Sequence, residues 1–363
     1  MNAQIDRLSS LVRPNILTLQ PYASARDEFT GAAAIFLDAN ENSLGGPLET
    51  DYSRYPDPQQ RALKNMLAAQ KGLNVDQIFL GNGSDEAIDL LLRAFVEPGR
   101  DNLLLLPPTY GMYAVQASIH GADIRRIPLR PDFTPDANAI RAATDAQSRL
   151  LFLCSPNNPT GQCLPDAFVL EMLRTFPGLV IVDEAYGDFN DRPSWSRRLA
   201  EFPNLVVLQT LSKAWGLAGL RVGMAFSNDF VIGILNKIKY PYNLGLATLQ
   251  LAEQALGRAG AVREKVDRLL AERERLAEEL PKRSCIREVF PSDANFLLVR
   301  TTDADGIIST CAIRASWCAI VAASRSVPSA CASRWVRRRR MTGCWKCWGF
   351  LVAVSNFILY TGS

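Results

Sequence analysis

Lys213 stands in a segment whose residue types suit nucleophilic chemistry on a carbonyl compound. A buried lysine loses its proton more readily than an arginine does, and the neutral amine is a nucleophile. Ser212 directly precedes this lysine, and Arg221 follows it between two glycines; a hydroxyl and a guanidinium both suit phosphate binding. The combination indicates a carbonyl cofactor that carries a phosphate, and the alternative is an ordinary surface lysine on a loop.

Short apolar runs and helical patterns alternate on both sides of this lysine. The runs that we expect to be strands are 77–80, 102–106, 124–129, 150–154, 179–182, 205–208 and 222–226. Helical patterns occupy 61–71, 85–95, 110–119 and 165–175. Continuous apolar strands between helices are typical of an α/β fold whose mainly parallel sheet is covered on both faces.

Four motifs follow predicted strands, at the edge where parallel sheets bind ligands. Ser84 and Asp85 open a helix whose backbone N–H groups suit a phosphate, although a plain turn and N-cap gives the same pattern. Tyr110 suits stacking on a flat ring or a place in the core. Asn158 lies in the rigid turn SPNNPTG. Asp183 ends the run VIVD, where a buried carboxylate is costly unless it meets a cation such as a pyridinium N–H; an N-cap or a structural salt bridge is the alternative.

The composition, the single histidine and the spacing of the cysteines argue against several other functional classes of protein. The chain of 363 residues suits roughly two domains, and a hydrophobic content of 48% with 21% charged residues is that of an ordinary globular protein. His120 is the only histidine, which leaves a Ser-His or Cys-His hydrolase without a base; we expect it at a helix end. Cys344 and Cys347 form a single CxxC, so we expect no metal site. The run Arg337–Arg340 has no supporting feature, so we expect no nucleic-acid partner.

No segment suits a bilayer or a secretory signal. The start of the chain lacks an apolar core of the required length. The stretch 348–360 is too short to span a membrane and contains Ser355 and Asn356. We therefore expect no membrane partner and a cytoplasmic protein with reduced thiols.

The motifs together carry a family resemblance. Asn158, Asp183, Tyr186, Lys213 and Arg221 occur in the order and near the spacing of the fold-type-I pyridoxal-phosphate aminotransferases. SPNNPTG, VDEAY and TLSKAWGLAGLRVG resemble that family's signatures, and LDANENSLG, RYPDPQ, GNGSDEAID and PPTYGMY narrow the resemblance to the histidinol-phosphate aminotransferases. It runs from about residue 17 to residue 300. A threonine-phosphate decarboxylase, an aromatic aminotransferase and an inactive product that only binds the cofactor remain alternatives.

The resemblance implies pyridoxal 5'-phosphate as cofactor and a role for each motif residue. Lys213 would form the Schiff base with the cofactor and later move the proton of the substrate. Asp183 would keep the pyridine nitrogen protonated, which strengthens the ring as an electron sink. Asn158 and Tyr186 would bind the phenolic oxygen of the ring, and Tyr110 would stack on it.

The resemblance also implies phosphate ligands, a homodimer and the substrates. The phosphate ligands would be Ser84, Asp85, Ser212, Arg221 and, from the partner subunit, Tyr55. The residues near the substrate would be Tyr22, Asn40 and Glu41. The implied reaction converts histidinol phosphate and 2-oxoglutarate into imidazole-acetol phosphate and glutamate, in histidine biosynthesis.

The implied architecture is a fold-type-I transferase with a seven-stranded, mainly parallel sheet in a large domain. A smaller α/β domain would be formed by the N- and C-terminal segments. The expected divisions are an arm and part of the small domain at 1–45, the large cofactor domain at 46–245, a connecting helix at 246–280, the start of the small C-terminal domain at 281–306 and an atypical tail at 307–363.

The composition changes abruptly after residue 306. No Asp or Glu occurs in 307–363, where about six acidic residues would be usual at roughly one in ten. Five of the eight cysteines fall in this segment. The family's LRI-x-VGT strand, which carries an arginine for the substrate, does not appear. We hypothesise that the tail comes from a shifted reading frame, and a divergent folded end is the alternative.

Overall fold

The computed structural model describes residues 2–22, 38–302, 319–322 and 357–361, with side chains for 6–22 and 38–302. The helices in these residues are α1 (Asn2–Ser9), α2 (Pro14–Leu17), α3 (Arg61–Lys71), α4 (Gly83–Phe95), α5 (Met112–Ile119), α6 (Ala137–Ala143), α7 (Asp166–Thr175), α8 (Asp229–Ile238), α9 (Leu246–Leu256) and α10 (Ala259–Glu279). The strands are β1 (Ile78–Asn82), β2 (Asn102–Leu105), β3 (Asp123–Arg126), β4 (Ser148–Cys154), β5 (Leu179–Asp183), β6 (Leu205–Thr210), β7 (Val222–Phe226), β8 (Ile286–Val289), β9 (Leu297–Thr301), β10 (Ala319–Ala322) and β11 (Phe357–Thr361).

The larger sheet contains seven strands of the described chain in the order β1-β7-β6-β5-β4-β2-β3. Neighbouring strands from β6 to β3 pair in parallel. Strand β7 runs antiparallel to both of its neighbours, β1 and β6. The predicted α/β class and the mainly parallel seven-stranded sheet are therefore confirmed.

The central strands are apolar throughout because helices cover both faces of the sheet. In β5, Val180 and Val182 belong to one core cluster, whereas Leu179 and Ile181 belong to another. Side chains alternate between the faces of a strand, so the two clusters lie on opposite sides. Helices α3, α7 and α9 contribute to the first cluster, and α1, α4, α5 and α8 contribute to the second.

This topology brings the chemical motifs to one edge of the sheet. Strand β7 is antiparallel to both β1 and β6, so β1 runs in the same direction as β6 and as β5 and β4, which are parallel to β6. The carboxyl ends of those strands are Asn82, Cys154, Asp183 and Thr210, in β1, β4, β5 and β6 respectively. The turns that follow them therefore meet above a single edge, as is usual for ligand sites of parallel sheets.

Several predicted boundaries differ from the observed ones. The interval 246–280, predicted as one connecting helix, contains two helices that are separated at Gly257 and Arg258. Glycine is among the poorest helix formers, which accounts for the break. Predicted strand 124–129 ends at Arg126, although the Ile127 and Leu129 N–H groups still donate to the Leu105 and Pro107 carbonyls at 2.9 and 2.8 Å.

A second sheet follows α10, in the order β10-β11-β9-β8. Strands β8 and β9 pair antiparallel in it. Strand β11 pairs in parallel with β9, and β10 pairs in parallel with β11. Both of these short strands lie within 307–363, the interval that we call the tail. The remainder of 307–363, including Cys344, Cys347 and Arg337–Arg340, lies outside the described residues.

The N-terminal segment packs on the larger sheet. Leu8, Leu11 and Val12 are buried in the core cluster that α4 and α8 also line. The Arg13 guanidinium forms an ion pair with Glu97 at 3.1 Å. These contacts place Leu8, Leu11 and Val12 against the large sheet, and the predicted contribution of 1–45 to the smaller domain stays a prediction.

No helix of the described residues combines the length and apolarity that crossing a bilayer requires.

Candidate active site

The first turn of α4 and the Arg221 side chain form one side of the site. Gly83 has a φ of +70°, and its N–H donates to the Arg221 carbonyl at 2.8 Å. A Cβ at Gly83 would overlap the Arg221 guanidinium, and a Cβ at Gly223 would overlap the backbone of Gly83 and Ser84. Glycine is required at both positions because only then do the helix N-terminus and the guanidinium come together.

Polar contacts orient the Arg221 guanidinium. Arg221 Nη1 donates to Ser212 Oγ at 3.4 Å, and Nη2 lies 3.5 Å from Asp85 Oδ2. Thr210 Oγ1 donates to Ser212 Oγ at 2.8 Å, and Tyr110 Oη donates to Asp85 Oδ1 at 3.1 Å. Burial and the neighbouring Asp85 charge raise the pKa of Tyr110, which keeps its proton. A guanidinium, a hydroxyl and a helix N-terminus together suit the binding of a phosphate.

Asp183 lies in the floor of the site and is 2% exposed. Its Oδ2 accepts a hydrogen bond from Tyr113 Oη at 2.6 Å, and its Oδ1 accepts one from the Ala185 N–H at 3.0 Å. Burial raises the pKa of the Asp183 carboxyl, and the two hydrogen bonds oppose that rise. Within residues 38–302 no lysine or arginine forms an ion pair with Asp183, so the carboxylate keeps capacity for a cationic N–H donor.

The two asparagines of SPNNPTG have different tasks. Asn157 fixes the turn, since its Nδ2 donates to the Pro108 carbonyl at 2.9 Å and its Oδ1 accepts from Thr109 Oγ1 at 2.9 Å. Asn158 Nδ2 donates to Tyr186 Oη at 3.4 Å. Burial raises the pKa of Tyr186, so this hydroxyl remains protonated. The structure thus brings together Asn158 and Tyr186, as the sequence predicted.

Lys213 enters the site from the turn after β6. Its Nζ lies 5.3 Å from the centroid of the Tyr186 ring. The sequence argument weighed a buried reactive lysine against a surface lysine on a loop, and the Lys213 side chain is exposed. The turn that carries it lies beyond the carboxyl end of β6.

The candidate residues from the N-terminal part of the chain have no described contact with Lys213, Asp183 or Arg221. Glu41 Oε2 accepts from Arg54 Nη1 at 2.7 Å, and its Oε1 accepts from the Tyr55 N–H at 2.6 Å. Asn40 has a φ of +52°, and the Tyr22 side chain is 76% exposed. The assignments of Tyr22, Asn40, Glu41 and Tyr55 stay predictions.

Sequence reasoning missed two residues that order the site, Tyr113 and Thr210. Tyr113 lies three positions after Tyr110 in the helical pattern predicted for 110–119, and this spacing was an available signal, although the observed helix begins at Met112. Thr210 ends β6, and its Oγ1 also accepts from the Ser212 N–H at 3.1 Å. Nothing in the local pattern distinguished this threonine from any other strand-end residue.

His120 and the acidic residues suggest no other centre. His120 directly follows α5, as expected of a helix-end residue, and its Nε2 lies 2.7 Å from Asp89 Oδ1. Among the side chains described, no group of three or more His, Cys, Asp or Glu residues is arranged to hold a metal ion.

Comparison with known proteins identifies the family. Residues 47–337 match the model of the family "Aminotransferase class I and II". The histidinol-phosphate aminotransferase of Parabacteroides distasonis is 49% identical over 300 residues, which are 83% of this chain and 86% of that protein. The enzyme of Bacteroides thetaiotaomicron with the same name is 50% identical over 298 residues, covering 82% and 85%. The chain belongs to the histidinol-phosphate aminotransferase family.

A solved structure of the same family agrees with the fold. The histidinol-phosphate aminotransferase of Sinorhizobium meliloti, crystallised in complex with pyridoxal-5'-phosphate, superposes with a TM-score of 0.66. It is 25% identical, and the match covers 76% of this chain and 78% of that one. The fold-type-I assignment that we made for this chain from its motifs is therefore confirmed.

We predict that Asp183→Asn changes how the stability of the cofactor-free protein depends on pH. The folded-state pKa of Asp183 is raised above its ordinary value of 3.8. Its contribution to stability is therefore complete below that value and is lost as the pH rises through the folded-state pKa. The variant should gain stability relative to the native chain from about pH 4 upward, by about 1.4 kcal/mol per unit of pKa difference. Urea unfolding at several pH values measures this, and parallel stability curves would contradict it.

Proposed function

We propose that this chain catalyses amino transfer from histidinol phosphate to 2-oxoglutarate, giving imidazole-acetol phosphate and glutamate, in histidine biosynthesis. The single observation that carries the proposal is the arrangement at the sheet edge. The exposed amine of Lys213, the buried Asp183 carboxyl without an ionic partner in the described residues and the Arg221 guanidinium beside a helix N-terminus lie at or beyond the carboxyl ends of neighbouring strands. The names of the relatives with about half of their residues identical support the choice of substrate.

The residues present fit pyridoxal 5'-phosphate. The backbone of Ser84 and Asp85, the Ser212 hydroxyl and Arg221 would hold the phosphate. Asp183 would accept the N–H of the pyridine ring, which explains a buried carboxylate that has only neutral donors in the described chain. When bound, this cofactor supplies an electron sink that stabilises negative charge on the α-carbon of an amino substrate.

The remaining residues orient and move protons. The Lys213 Nζ would carry the covalent link to the cofactor and then transfer a proton between the α-carbon and the cofactor. Asn158 and Tyr186 would donate to the phenolic oxygen of the ring, a role that suits a tyrosine whose pKa burial raises. Tyr110 would cover one face of the ring and keep water from it. Tyr22, Asn40 and Glu41 would contact the substrate.

We predict that Lys213→Ala abolishes covalent cofactor attachment and lowers turnover by roughly 10³-fold or more, since it removes both the nucleophile and the proton carrier. Borohydride reduction followed by peptide mass analysis measures attachment, and assays with histidinol phosphate and with phenylalanine measure turnover and substrate choice.

The matched control is Lys265→Ala, which removes an exposed lysine of α10 and should change neither quantity. Attachment at another lysine, or better turnover with phenylalanine than with histidinol phosphate, would overturn the respective part of the proposal.

We infer that the enzyme is a homodimer in which the partner subunit's Tyr55 completes the phosphate site. Exposed large apolar side chains support an interface, and they are Leu44, Leu48, Tyr52 and Tyr55, which are close in sequence, and Tyr240. The Tyr55 ring stacks on Tyr242 at 4.4 Å between centroids, which connects the two segments that carry these residues. A contiguous exposed apolar surface is typical of an association site.

Subunit complementation tests this arrangement. Tyr55→Ala and Lys213→Ala are each expected to be inactive, and each homodimer carries its lesion in both sites. If Tyr55 acts across the interface, a mixed dimer contains one site with both lesions and one intact site. Unfolding and refolding an equal mixture should then restore roughly a quarter of native turnover by statistical assortment. A mixture as inactive as its components would contradict the shared site.

We also propose a cytoplasmic location. The described cysteines Cys154, Cys163 and Cys285 are free thiols, as is usual in a reducing compartment. Fractionation of the source cells tests the location, and recovery outside the cytoplasmic fraction would contradict it.

We propose that the tail from 307 results from a shifted reading frame, through a sequencing error or a mutation. The support is its composition, with eight basic and no acidic residues. We predict that another frame of the nucleotide sequence, entered near codons 300–315, encodes a continuation with ordinary acidic content and a strand that carries an arginine. Resequencing and the intact mass of the native product measure which chain exists. The absence of such a frame would contradict the proposal.

A further inference from the structure

Tyr113 is a buried tyrosine with a hydroxyl aimed at the site. It lies in α5, its side chain is 0% exposed, and its ring stacks on Phe152 with 4.6 Å between centroids. The Tyr110 ring approaches it edge to face at 5.4 Å. The Tyr113 hydroxyl donates to Asp183 Oδ2 at 2.6 Å, a short hydrogen bond of the kind that a charged acceptor forms.

The two hydrogen bonds of Asp183 restrain the carboxylate from both sides. Tyr113 occupies one oxygen, and the Ala185 N–H occupies the other at 3.0 Å. The backbone donor is fixed by the turn after β5, so the Tyr113 hydroxyl is the only side-chain donor to this carboxylate in residues 38–302. Each carboxylate oxygen has two lone pairs, and therefore one direction on each remains for a further donor.

We propose that Tyr113 is a positioning residue for cofactor binding: its hydroxyl fixes the Asp183 carboxylate in the orientation that receives the pyridine N–H. This inference rests on the proposed function and extends it to a residue that does not itself touch the cofactor. A donor in this place also stabilises the ionised carboxylate, which burial alone disfavours.

The Tyr113 hydroxyl suits this task because it remains a donor at every physiological pH. Burial and the adjacent Asp183 charge raise its pKa well above the ordinary value. The ring is held by Phe152 and the core around it, so removing only the hydroxyl leaves the packing intact. Tyr113→Phe is therefore a specific probe of the hydrogen bond.

The test measures binding of pyridoxine 5'-phosphate, which has the pyridine nitrogen and the phosphate but no aldehyde. Its affinity does not depend on the covalent link at Lys213, so failure of that link is a separate result. Tyr113→Phe should weaken this ligand roughly 10- to 100-fold, as loss of a hydrogen bond to a charged group does. Binding of inorganic phosphate should change by less than about twofold, since the phosphate residues are untouched.

A double-mutant cycle with Asp183→Asn separates positioning from general structure. If Tyr113 acts through the Asp183 charge, Tyr113→Phe should change pyridoxine 5'-phosphate affinity by less than about threefold in the Asp183→Asn background. The control is Ser227→Ala, which removes another fully buried hydroxyl, bonded to the Leu205 carbonyl at 2.7 Å. It should lower the melting temperature and leave both affinities unchanged.

Two outcomes would overturn the inference. One is an equal loss of pyridoxine 5'-phosphate affinity in both backgrounds. The other is a parallel loss of inorganic phosphate affinity. Either result would make Tyr113 an ordinary core residue. Failure of the native protein to bind pyridoxine 5'-phosphate at all would instead overturn the proposed function.

Discussion

The burial of two consecutive carboxylates at the end of β5 is the constraint on which the site depends. Asp183 and Glu184 are both buried, and burial raises the pKa of each. Glu184 accepts hydrogen bonds from Ser194 Oγ, the Trp195 N–H and Gln209 Nε2 at 2.6–2.8 Å. Asp183 accepts from two donors, and neither is charged. Glu184 therefore has three neutral donors and Asp183 has two, so Asp183 keeps more capacity for a further donor, which our proposal assigns to the cofactor.

Close backbone packing between β1, β7 and the first turn of α4 brings Arg221 to the helix N-terminus. Strand register places Gly81 of β1 opposite Gly223 of β7, directly beneath the first turn of α4. The absence of side chains lets the chain around Gly83 approach Arg221. Arg221 thus lies near one end of the sheet edge, and the buried Asp183 carboxyl lies further along it. A ligand with a phosphate at one end and a ring N–H at the other suits this arrangement.

The sequence predicted the strands well because both faces of the sheet are buried, which makes runs such as 179–182 and 205–208 continuously apolar. The motif order places the residues proposed to hold the cofactor at the strand ends, and those assignments stay predictions. Side-chain contacts between distant segments were not: the Tyr113 hydroxyl meets Asp183 across 70 positions. The sequence also left the exposure of Lys213 open, because a residue's depth depends on where a turn lies above the sheet. A local sequence pattern does not report that position.

The second sheet reaches the site through one short segment that precedes the tail. The Asp293 N–H donates to the Gly161 carbonyl at 2.7 Å, and Asp293 Oδ2 accepts from the Cys163 N–H at 2.8 Å, so the segment is bonded to the turn that carries Asn158. The Phe296 ring packs edge to face on Tyr186 at 5.1 Å. These contacts, and the residues proposed to hold the cofactor, all precede residue 302. Under our proposals an altered tail would therefore impair substrate binding while leaving the cofactor residues supported.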